Sequence, residues 1–173
     1  TELKAVTPDA EAKTHFFIVD CVGIDEDKLG STRQLERKRS VPLKELLRHV
    51  ALGVRDTDTL ATLASRFARL DKRCSKEDQK KVREMSGGLD LSGLSAALVQ
   101  SLDGDYIAAK AREQFDLSAD DEPTVEQMEV ASKEARDEAA LPLATKPDLR
   151  EVILEIQKKY EQAIDEGSQD QLL

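Results

Sequence analysis

The sequence predicts an all-α fold, an irregular bundle of several helices preceded by one short β-strand and an extended connector. Apolar residues recur at helical spacing through most of the chain after residue 40. Aromatic residues make up only 3% of the 173 residues, so the core must be built from Leu, Ile, Val and Ala, which suits packing of helix on helix. Only one segment has the unbroken apolar run of a buried strand.

That segment is KTHFFIVDCVG, residues 13–23. Its nearly continuous apolar run, with Asp20 near the end, is typical of a strand buried on both faces of a parallel sheet. No second run of this kind is present to pair with it. We therefore expect residues 1–24 to be a remnant that carries the last strand of a sheet lying upstream, and residues 25–39 to be a connector.

The helical domain is expected to span residues 40–167, with residues 168–173 as a tail. Ser40 is expected to cap the first helix, with Pro42 in its first turn and Gly53 after its end. A second helix is expected to begin at Asp56 or Thr57. The apolar faces are Leu43, Leu46, Leu47, Val50 and Ala51 in the first helix, and Leu60, Leu63, Ala64, Phe67 and Leu70 in the second.

Three further helices are predicted before residue 116. Ser75 and Asp78 resemble a capping box for a short polar helix that stops at Gly87 and Gly88. Another helix follows, and a bend at Gly104 separates it from a helix over Tyr106–Phe115. The apolar stripe of the former is Leu91, Leu94, Leu98 and Leu102.

The last third of the sequence predicts a loop and two helices. Residues 117–122 are acidic and unpatterned, and Thr124 with Gln127 forms a capping box for a helix that reaches about Ala140. Pro142 and Pro147 are expected to bracket a turn, with Thr145 capping the last helix and Gly167 ending it. The apolar face of that helix is Leu149, Val152, Ile153, Ile156, Tyr160 and Ile164.

The net charge of -9 is unevenly divided. Residues 1–87 carry 18 basic and 15 acidic side chains, whereas residues 88–173 carry 8 and 20. Within residues 33–83 there are 15 basic and 7 acidic side chains, so any phosphate contact is expected there. The acidic half would repel nucleic acid, and it is expected to form solvated helix faces, with docking of a basic protein as the alternative.

Two groups of basic residues are candidate contacts for protein or DNA. The connector group, within residues 33–39, is open to three interpretations. It could contact phosphate, form a solvated connector or form an edge that docks protein. No aromatic residue lies among its members, so base stacking is disfavoured. The helix group falls opposite the apolar face of the second helix, as a solvent face or as a surface for acid or phosphate. The groups are Arg33, Arg37, Lys38 and Arg39, and Arg66, Arg69 and Arg73.

Asp20 with Glu36 and Lys38 matches the loose Asp…Glu-x-Lys skeleton of metal-dependent nucleases. In such a site two carboxylates hold a divalent cation and the lysine orients or activates water. The site needs both carboxylates on adjoining strands of one sheet, and only one strand is predicted. A nuclease function is therefore the third hypothesis for this chain.

The histidines and cysteines suggest structural roles. His15 and His49 have no second ligand at metal spacing. Cys21 and Cys74 lie far apart, so we expect buried free thiols in a reducing compartment instead of a disulfide or a zinc site. No catalytic, cofactor-binding or metal-binding residues are predicted, and no apolar segment suggests a membrane partner.

Four separate blocks together resemble, in order, the C-terminal part of the restriction (R, HsdR) subunit of type I restriction-modification enzymes. The likeness covers most of Lys13–Leu173, and none of the blocks is a catalytic motif. The blocks are KTHFFIVDCVG, QLERKRSVPLKELL, DTLATLASRFARLDKR and LATKPDLREVILEIQKKYEQAIDEGSQDQLL.

The resemblance implies a fold and a role. The strand would be the last one of the second RecA-like motor domain, and the helices would attach the motor subunit to the methyltransferase and specificity subunits. The parent subunit would be an ATP-dependent type I site-specific deoxyribonuclease in the cytoplasm of a bacterium or archaeon, with its ATP and Mg²⁺ bound upstream and its chain continuing beyond Leu173. This chain would then be non-catalytic. The alternative is a module that contacts duplex DNA and guides it at the motor.

Overall fold

The computed structural model describes residues 37–38, 40–118 and 121–169, with only the backbone of 162–169. Within these residues the protein is all-α, as predicted, with seven helices and no β-strand. The predicted strand at residues 13–23 and most of the predicted connector lie outside the described residues, as does the tail from residue 170 onward.

The helices are α1 (Leu43–Ala51), α2 (Thr57–Asp71), α3 (Lys76–Ser86), α4 (Leu91–Gln100), α5 (Gly104–Gln114), α6 (Val125–Thr145) and α7 (Pro147–Gln169). Five of them begin at a residue whose side chain accepts a hydrogen bond from the backbone N–H three positions later, which satisfies a donor that the first turn leaves without a partner. At α6 the predicted capping box of Thr124 and Gln127 is confirmed. The five N-cap residues are Asp56, Ser75, Asp90, Asp103 and Thr124.

Helix α2 is the centre of the bundle. Every residue of Thr59–Ser65 is buried, so neighbouring elements must surround this half of the helix. It packs against α1 and α4, and its small side chains allow α4 to approach closely. The hydroxyl of Ser95 on α4 donates a hydrogen bond to the carbonyl of Ala64 at 2.8 Å.

In the described part of the chain, two separate hydrophobic cores hold the helices together. The main core joins residues of α1, α2, α4 and α7 with Val82 of α3 and the last turns of α6. The second core is much smaller and joins α5 to the first half of α6 through Ile107, Ala111 and Ala131, with Met128 beside them. The largest fully buried side chains of the main core are Phe67, Leu46, Leu47, Leu60, Leu63, Leu91, Leu94, Leu98, Leu143, Leu149, Ile153 and Val50.

The start of α1 differs from the prediction, because Pro42 and not Ser40 is the N-cap residue. The N–H of Val41 donates to the carbonyl of Lys38 at 3.1 Å, which places Ser40 inside a turn. Pro42 then holds an extended conformation, and its carbonyl accepts hydrogen bonds from the first turn of α1. The fixed φ of proline makes it suitable for entry into a helix.

The prediction of a turn between Pro142 and Pro147 is wrong. Helix α6 continues through Pro142, and only Lys146 leaves the helical conformation before α7 begins. Proline removes one hydrogen bond inside a helix and crowds the preceding turn. Ala140 and Leu143, on either side of Pro142, are fully buried in the main core, so burial of this segment as a helix offsets that cost.

Thr145 does not cap α7, because its hydroxyl donates back to the carbonyl of Leu141 at 2.8 Å. The end of α6 is instead capped by Arg150 of α7. The guanidinium donates to the carbonyls of Leu143 and Ala144 at 2.6 and 3.0 Å. A cation at the C-terminus of a helix also interacts favourably with its dipole.

Smaller differences concern helix ends. Helix α4 ends at Gln100, before Leu102, and α5 begins at Gly104, two residues before the predicted start. Helix α7 continues past Gly167 to Gln169. Among the described residues, none of the helices is both long enough and apolar enough to cross a bilayer.

Candidate functional site: a basic groove

A groove of about 600 Å³ lies between the residues that lead into α1, the second half of α2 and the middle of α7. We call it the basic groove, because among the described residues that line it four side chains are cationic and one, Glu161, is acidic. The four cations are Lys44, Arg66, Arg69 and Arg73. Three segments that are distant in the sequence therefore meet at one concave surface.

The predicted arginine stripe of α2 forms one wall of the basic groove. Arg66, Arg69 and Arg73 lie three and four residues apart, so they share one side of the helix. Arg66 and Arg69 are half-buried and Arg73 is exposed. The guanidinium of Arg66 also donates to the carbonyl of Lys38 at 3.4 Å. The stripe is thus partly enclosed.

Apolar groups lie beside these cations. Val41, Pro42, Leu43 and Leu70 line the same groove, and both leucines are buried. The N-cap residue Pro42 has no side-chain acceptor, so the positive end of α1 faces the groove without a capping carboxylate or hydroxyl from that position. The groove therefore combines positive potential with an apolar surface.

Tyr160 of α7 forms another wall, and a hydrogen-bond network fixes it. Its hydroxyl accepts from the N–H of Ser75 at 2.7 Å and donates to the carboxylate of Asp78 at 2.9 Å. The same carboxylate accepts from Lys159 at 2.7 Å and from the Ser75 hydroxyl at 3.0 Å. The hydrogen bond from Lys159 and those from Tyr160 and Ser75 hold the pKa of buried Asp78 below its usual value, although burial opposes them.

Because of this network, only one of the two hydrogen bonds of the capping box predicted for α3 forms. The Ser75 hydroxyl accepts from the N–H of Asp78 at 3.2 Å, as the prediction requires. The Ser75 N–H, however, donates to Tyr160 and not to the Asp78 carboxylate. The start of α3 is therefore tied to α7, and Tyr160 cannot rotate away from the groove without losing both hydrogen bonds of its hydroxyl.

The described residues of the connector are fastened to the start of α2. Arg37 lies 3.4 Å from the carboxylate of Asp58, and Lys38 lies 3.0 Å from that of Asp56. The backbone N–H groups of both basic residues donate to the hydroxyl of Thr62 at 3.2 and 3.1 Å. Their charges are thus balanced by acidic neighbours. Arg33 and Arg39 lie outside the described residues.

The nuclease hypothesis stays a prediction, because Asp20 and Glu36 lie outside the described residues. Its third member, Lys38, binds Asp56 and the hydroxyl of Thr59, the latter at 2.7 Å. In the part of the chain that the structure describes, no three His, Cys, Asp or Glu side chains are grouped so that they could hold a metal ion.

Of the histidines and cysteines, the structure describes His49 and Cys74. His49 is half-buried on α1, whereas His15 and Cys21 lie outside the described residues. Cys74 is a half-buried free thiol at the end of α2. Burial and then the charges of nearby Asp71 and Asp78 raise its pKa, which makes it less reactive than an ordinary cysteine.

Nine of the twelve described residues that line the basic groove, Tyr160 and Lys44 among them, were not among the residues that the sequence singles out as contacts. Helical spacing places Tyr160 on the apolar face of the last helix, and Lys44 follows the first residue of α1 without any pattern of its own. One signal is available for Tyr160, because a buried tyrosine hydroxyl needs a polar partner and Lys159 precedes it. The position of Lys44 depends on how α1 meets α7, which no local pattern reveals.

The side chains of the basic groove are suited to binding an anionic ligand. The cations of the groove attract carboxylates or phosphates, and its apolar groups favour ligands that carry apolar side chains beside the charge. Comparisons with protein-family models, with curated proteins and with solved structures find no match for this chain.

Proposed function

We propose that this chain is a non-catalytic docking domain of a type I restriction enzyme, which attaches the ATP-driven translocase and endonuclease subunit to the methyltransferase and specificity subunits. The proposal rests on the sequence segments from which the basic groove is built. All twelve residues that line it fall in three of the four sequence blocks that resemble R subunits.

Each wall of the groove comes from one of these blocks. QLERKRSVPLKELL supplies the segment that leads into α1, DTLATLASRFARLDKR supplies α2, and LATKPDLREVILEIQKKYEQ supplies α7. Helix α4 lies in no block, although its leucines are fully buried in the main core. A resemblance that reflected core packing alone would include α4. A shared binding surface accounts better for which segments are alike.

The composition of the groove suits protein docking. Interfaces between proteins typically have an apolar centre with polar groups around it, and arginine is enriched among the residues that contribute most to binding. Here half-buried Val41 and exposed Pro42 line the same groove as the cationic side chains of α1 and α2. The surrounding helices belong to the main core, so they present these groups on rigid elements.

Contact with duplex DNA is the second candidate function. The stripe of Arg66, Arg69 and Arg73 favours it, since phosphate contacts require only positive charge within reach. Three observations rank it below docking. Arg37 and Lys38 are paired with acidic residues, the arginines lie in a concave wall, and Glu161 lines the same groove.

Competition for the partner subunits tests the docking function. We expect the purified chain to co-elute with the methyltransferase–specificity core of the same organism and to displace the intact R subunit from it. Displacement also slows ATP-dependent DNA cleavage by the reassembled enzyme. A triple variant of Arg66, Arg69 and Arg73 to Gln removes three groove cations, and we expect it to lose both effects.

The matched control removes the same charge elsewhere. Lys76, Lys80 and Lys81 are exposed on α3 and lie outside the groove, so their triple substitution by Gln should leave co-elution intact. Docking is rejected if the unmodified chain neither co-elutes nor competes. Salt-dependent binding to duplex DNA together with no affinity for the core would establish the second candidate instead.

A further inference from the structure

Asp78 carries a buried negative charge and does not line the basic groove. The residue is only 3% exposed, and one oxygen of its carboxylate accepts hydrogen bonds from the side chains of Ser75, Lys159 and Tyr160. Removing a charge from water is costly, and a buried ion pair adds little to stability even when its partners offset that cost. The arrangement of side chains that the carboxylate fixes accounts better for its presence.

The start of α3 is capped without this carboxylate. The Ser75 hydroxyl caps the helix by accepting a hydrogen bond from the Asp78 N–H at 3.2 Å, and the Ser75 N–H donates to Tyr160. In a complete capping box the acidic side chain would reach back to that N–H. The Asp78 carboxylate instead reaches α7, where it holds Lys159 at 2.7 Å and Tyr160 at 2.9 Å.

The hydroxyl of Tyr160 is used inside the chain, whereas its ring lines the basic groove. Its one hydrogen goes to Asp78, and its oxygen accepts from the N–H of Ser75 at 2.7 Å. The ring is half-buried against the main core, and the ammonium group of Lys159 lies 5.2 Å from its centre. Because a tyrosine side chain turns about only two bonds, these contacts hold the ring in one position.

A ring that is already held in place can bind a partner at low entropic cost. Lys44 and Arg73 are exposed on the same groove, and their long side chains lose conformational freedom when an interface immobilises them. Among the described residues that line the groove, Tyr160 is the one aromatic residue. Tyrosine is enriched among the residues that contribute most to binding between proteins.

We infer that Tyr160 is an aromatic anchor of the docking surface and that Asp78 is a positioning residue, which affects binding of the partner through Tyr160 without lining the groove. The hydrogen bond from Tyr160 to Asp78 preorganises the ring before the partner arrives. The inference rests on the proposed docking function and adds two residues that determine the affinity for the methyltransferase–specificity core.

A double-mutant cycle with the whole chain, read out as affinity for the methyltransferase–specificity core, tests the inference. Tyr160→Ala removes the anchor and should weaken binding at least about tenfold, and Asp78→Ala, which releases the ring, should weaken it about fivefold. In the Tyr160→Ala background, Asp78→Ala should change the affinity less than about twofold, because its effect passes through the ring. A role in stability alone would weaken binding equally in both backgrounds.

The position of the ring can be followed separately, because the chain has no tryptophan and two tyrosines. With Tyr106 replaced by Phe, tyrosine fluorescence reports on Tyr160 alone. We expect Asp78→Ala to increase the quenching of this fluorescence by acrylamide at least about twofold, while circular dichroism shows that the helices remain folded. Ser95→Ala, which removes a buried hydrogen bond of 2.8 Å away from the groove, is the matched control and should change neither quenching nor affinity.

Tyr160→Phe keeps the test decisive if Asp78→Ala fails to fold. This variant keeps the ring but loses both hydrogen bonds of the hydroxyl, so it should weaken binding to the core about as much as Asp78→Ala is expected to do. An affinity equal to that of the unmodified chain would show that the hydrogen bonds do not position the ring for binding.

The results distinguish failure of the inference from failure of the docking function. Unchanged affinity of Tyr160→Ala for the core, or equal losses from Asp78→Ala in both backgrounds, rejects the inference and keeps docking. Unchanged quenching in Asp78→Ala rejects the positioning role of that residue. If the unmodified chain has no affinity for the core, docking is rejected and the inference with it.

Discussion

The carboxylate of Asp56 has two roles at the start of α2. As the N-cap group it accepts a hydrogen bond from the N–H of Thr59 at 3.0 Å, and it also pairs with the ammonium group of Lys38 at 3.0 Å. Burial raises its pKa, but hydrogen bonds from the Thr59 hydroxyl, from Lys38 and from the Thr59 N–H together lower it from 3.8 to about 2. The fold thus stabilises the charged form of this side chain.

Acid should weaken the protein partly through Asp56. Because its folded pKa lies below the value of about 3.9 in unfolded chains, its contribution is fully present above about pH 4 and is lost as the pH falls toward 2. The side chain is 44% exposed, so solvent screening reduces this contribution to about 1 kcal/mol. We expect Asp56→Asn to lower the free energy of unfolding by about 1 kcal/mol at pH 7 and to flatten its pH dependence between pH 4 and 2.

Urea denaturation at several pH values measures both effects. Asparagine remains a good N-cap residue, so the substitution removes the charge more than the cap. Thr57→Ala, an uncharged change at an exposed position in the same turn, serves as the control and should keep the slope of the unmodified chain. An Asp56→Asn variant with an unchanged slope would show that the acid sensitivity has another source.

The end of α3 meets the junction of α6 and α7 at Gly87. This glycine has φ of +90°, and the N–H of Gly88 donates to the carbonyl of Arg83 at 2.8 Å, which closes the last turn. The ammonium group of Lys146, the residue between α6 and α7, donates to the carbonyl of Ser86. A Cβ atom on Gly87 would lie only 2.9 Å from that ammonium nitrogen.

Gly87→Ala should therefore weaken the junction of three helices. The left-handed backbone opposes a side chain, and a Cβ atom would push the end of Lys146 away from the carbonyl of Ser86, so we expect the free energy of unfolding to fall by about 2 kcal/mol. Gly53 has the same φ, and no atom of the described residues lies within 4 Å of the place that its Cβ would take, so Gly53→Ala isolates the backbone cost of about 1 kcal/mol. Equal losses in the two variants, measured by thermal or urea unfolding, would mean that Lys146 moves aside without cost.

At the level of elements, the helix starts at Asp56 and Thr124 could be predicted from the sequence. Asp56 and Thr124 cap helices with hydrogen bonds that reach only three residues, so local sequence determines them. The helix through Pro142 was not predictable in this way. Its local sequence favours a turn, and the burial of Leu143 against other helices decides the outcome.

At the scale of the whole molecule, only part of the candidate site could be predicted from the sequence. The stripe of Arg66, Arg69 and Arg73 follows from helical spacing alone. Its enclosure in a groove requires the segment before α1 and the middle of α7 to pack beside α2, and that arrangement arises from the main core. The sequence could therefore identify cations on one helix face, but not the apolar groups or the tyrosine that accompany them.

The two cores differ in size, and stability should differ across the molecule accordingly. Helix α5 is held mainly through Ile107 and Ala111 against Ala131 of α6, whereas α2 is buried within the main core. Few buried apolar contacts allow a segment to open without global unfolding. We expect hydrogen exchange to show backbone amides of α5 exchanging at least about tenfold faster than those in the buried half of α2.

Two substitutions distinguish local opening from global unfolding. Ile107→Ala removes apolar contact from the small core, so it should accelerate exchange in α5 while leaving the slowest amides of α2 nearly unchanged. Leu63→Ala removes a fully buried side chain from the main core and should accelerate exchange throughout. If both variants shift α2 and α5 by the same factor, the helices unfold as one cooperative unit and the small core is not an independent point of opening. A difference confined to α5 would show instead that the part of the molecule carrying the basic groove stays folded while α5 opens.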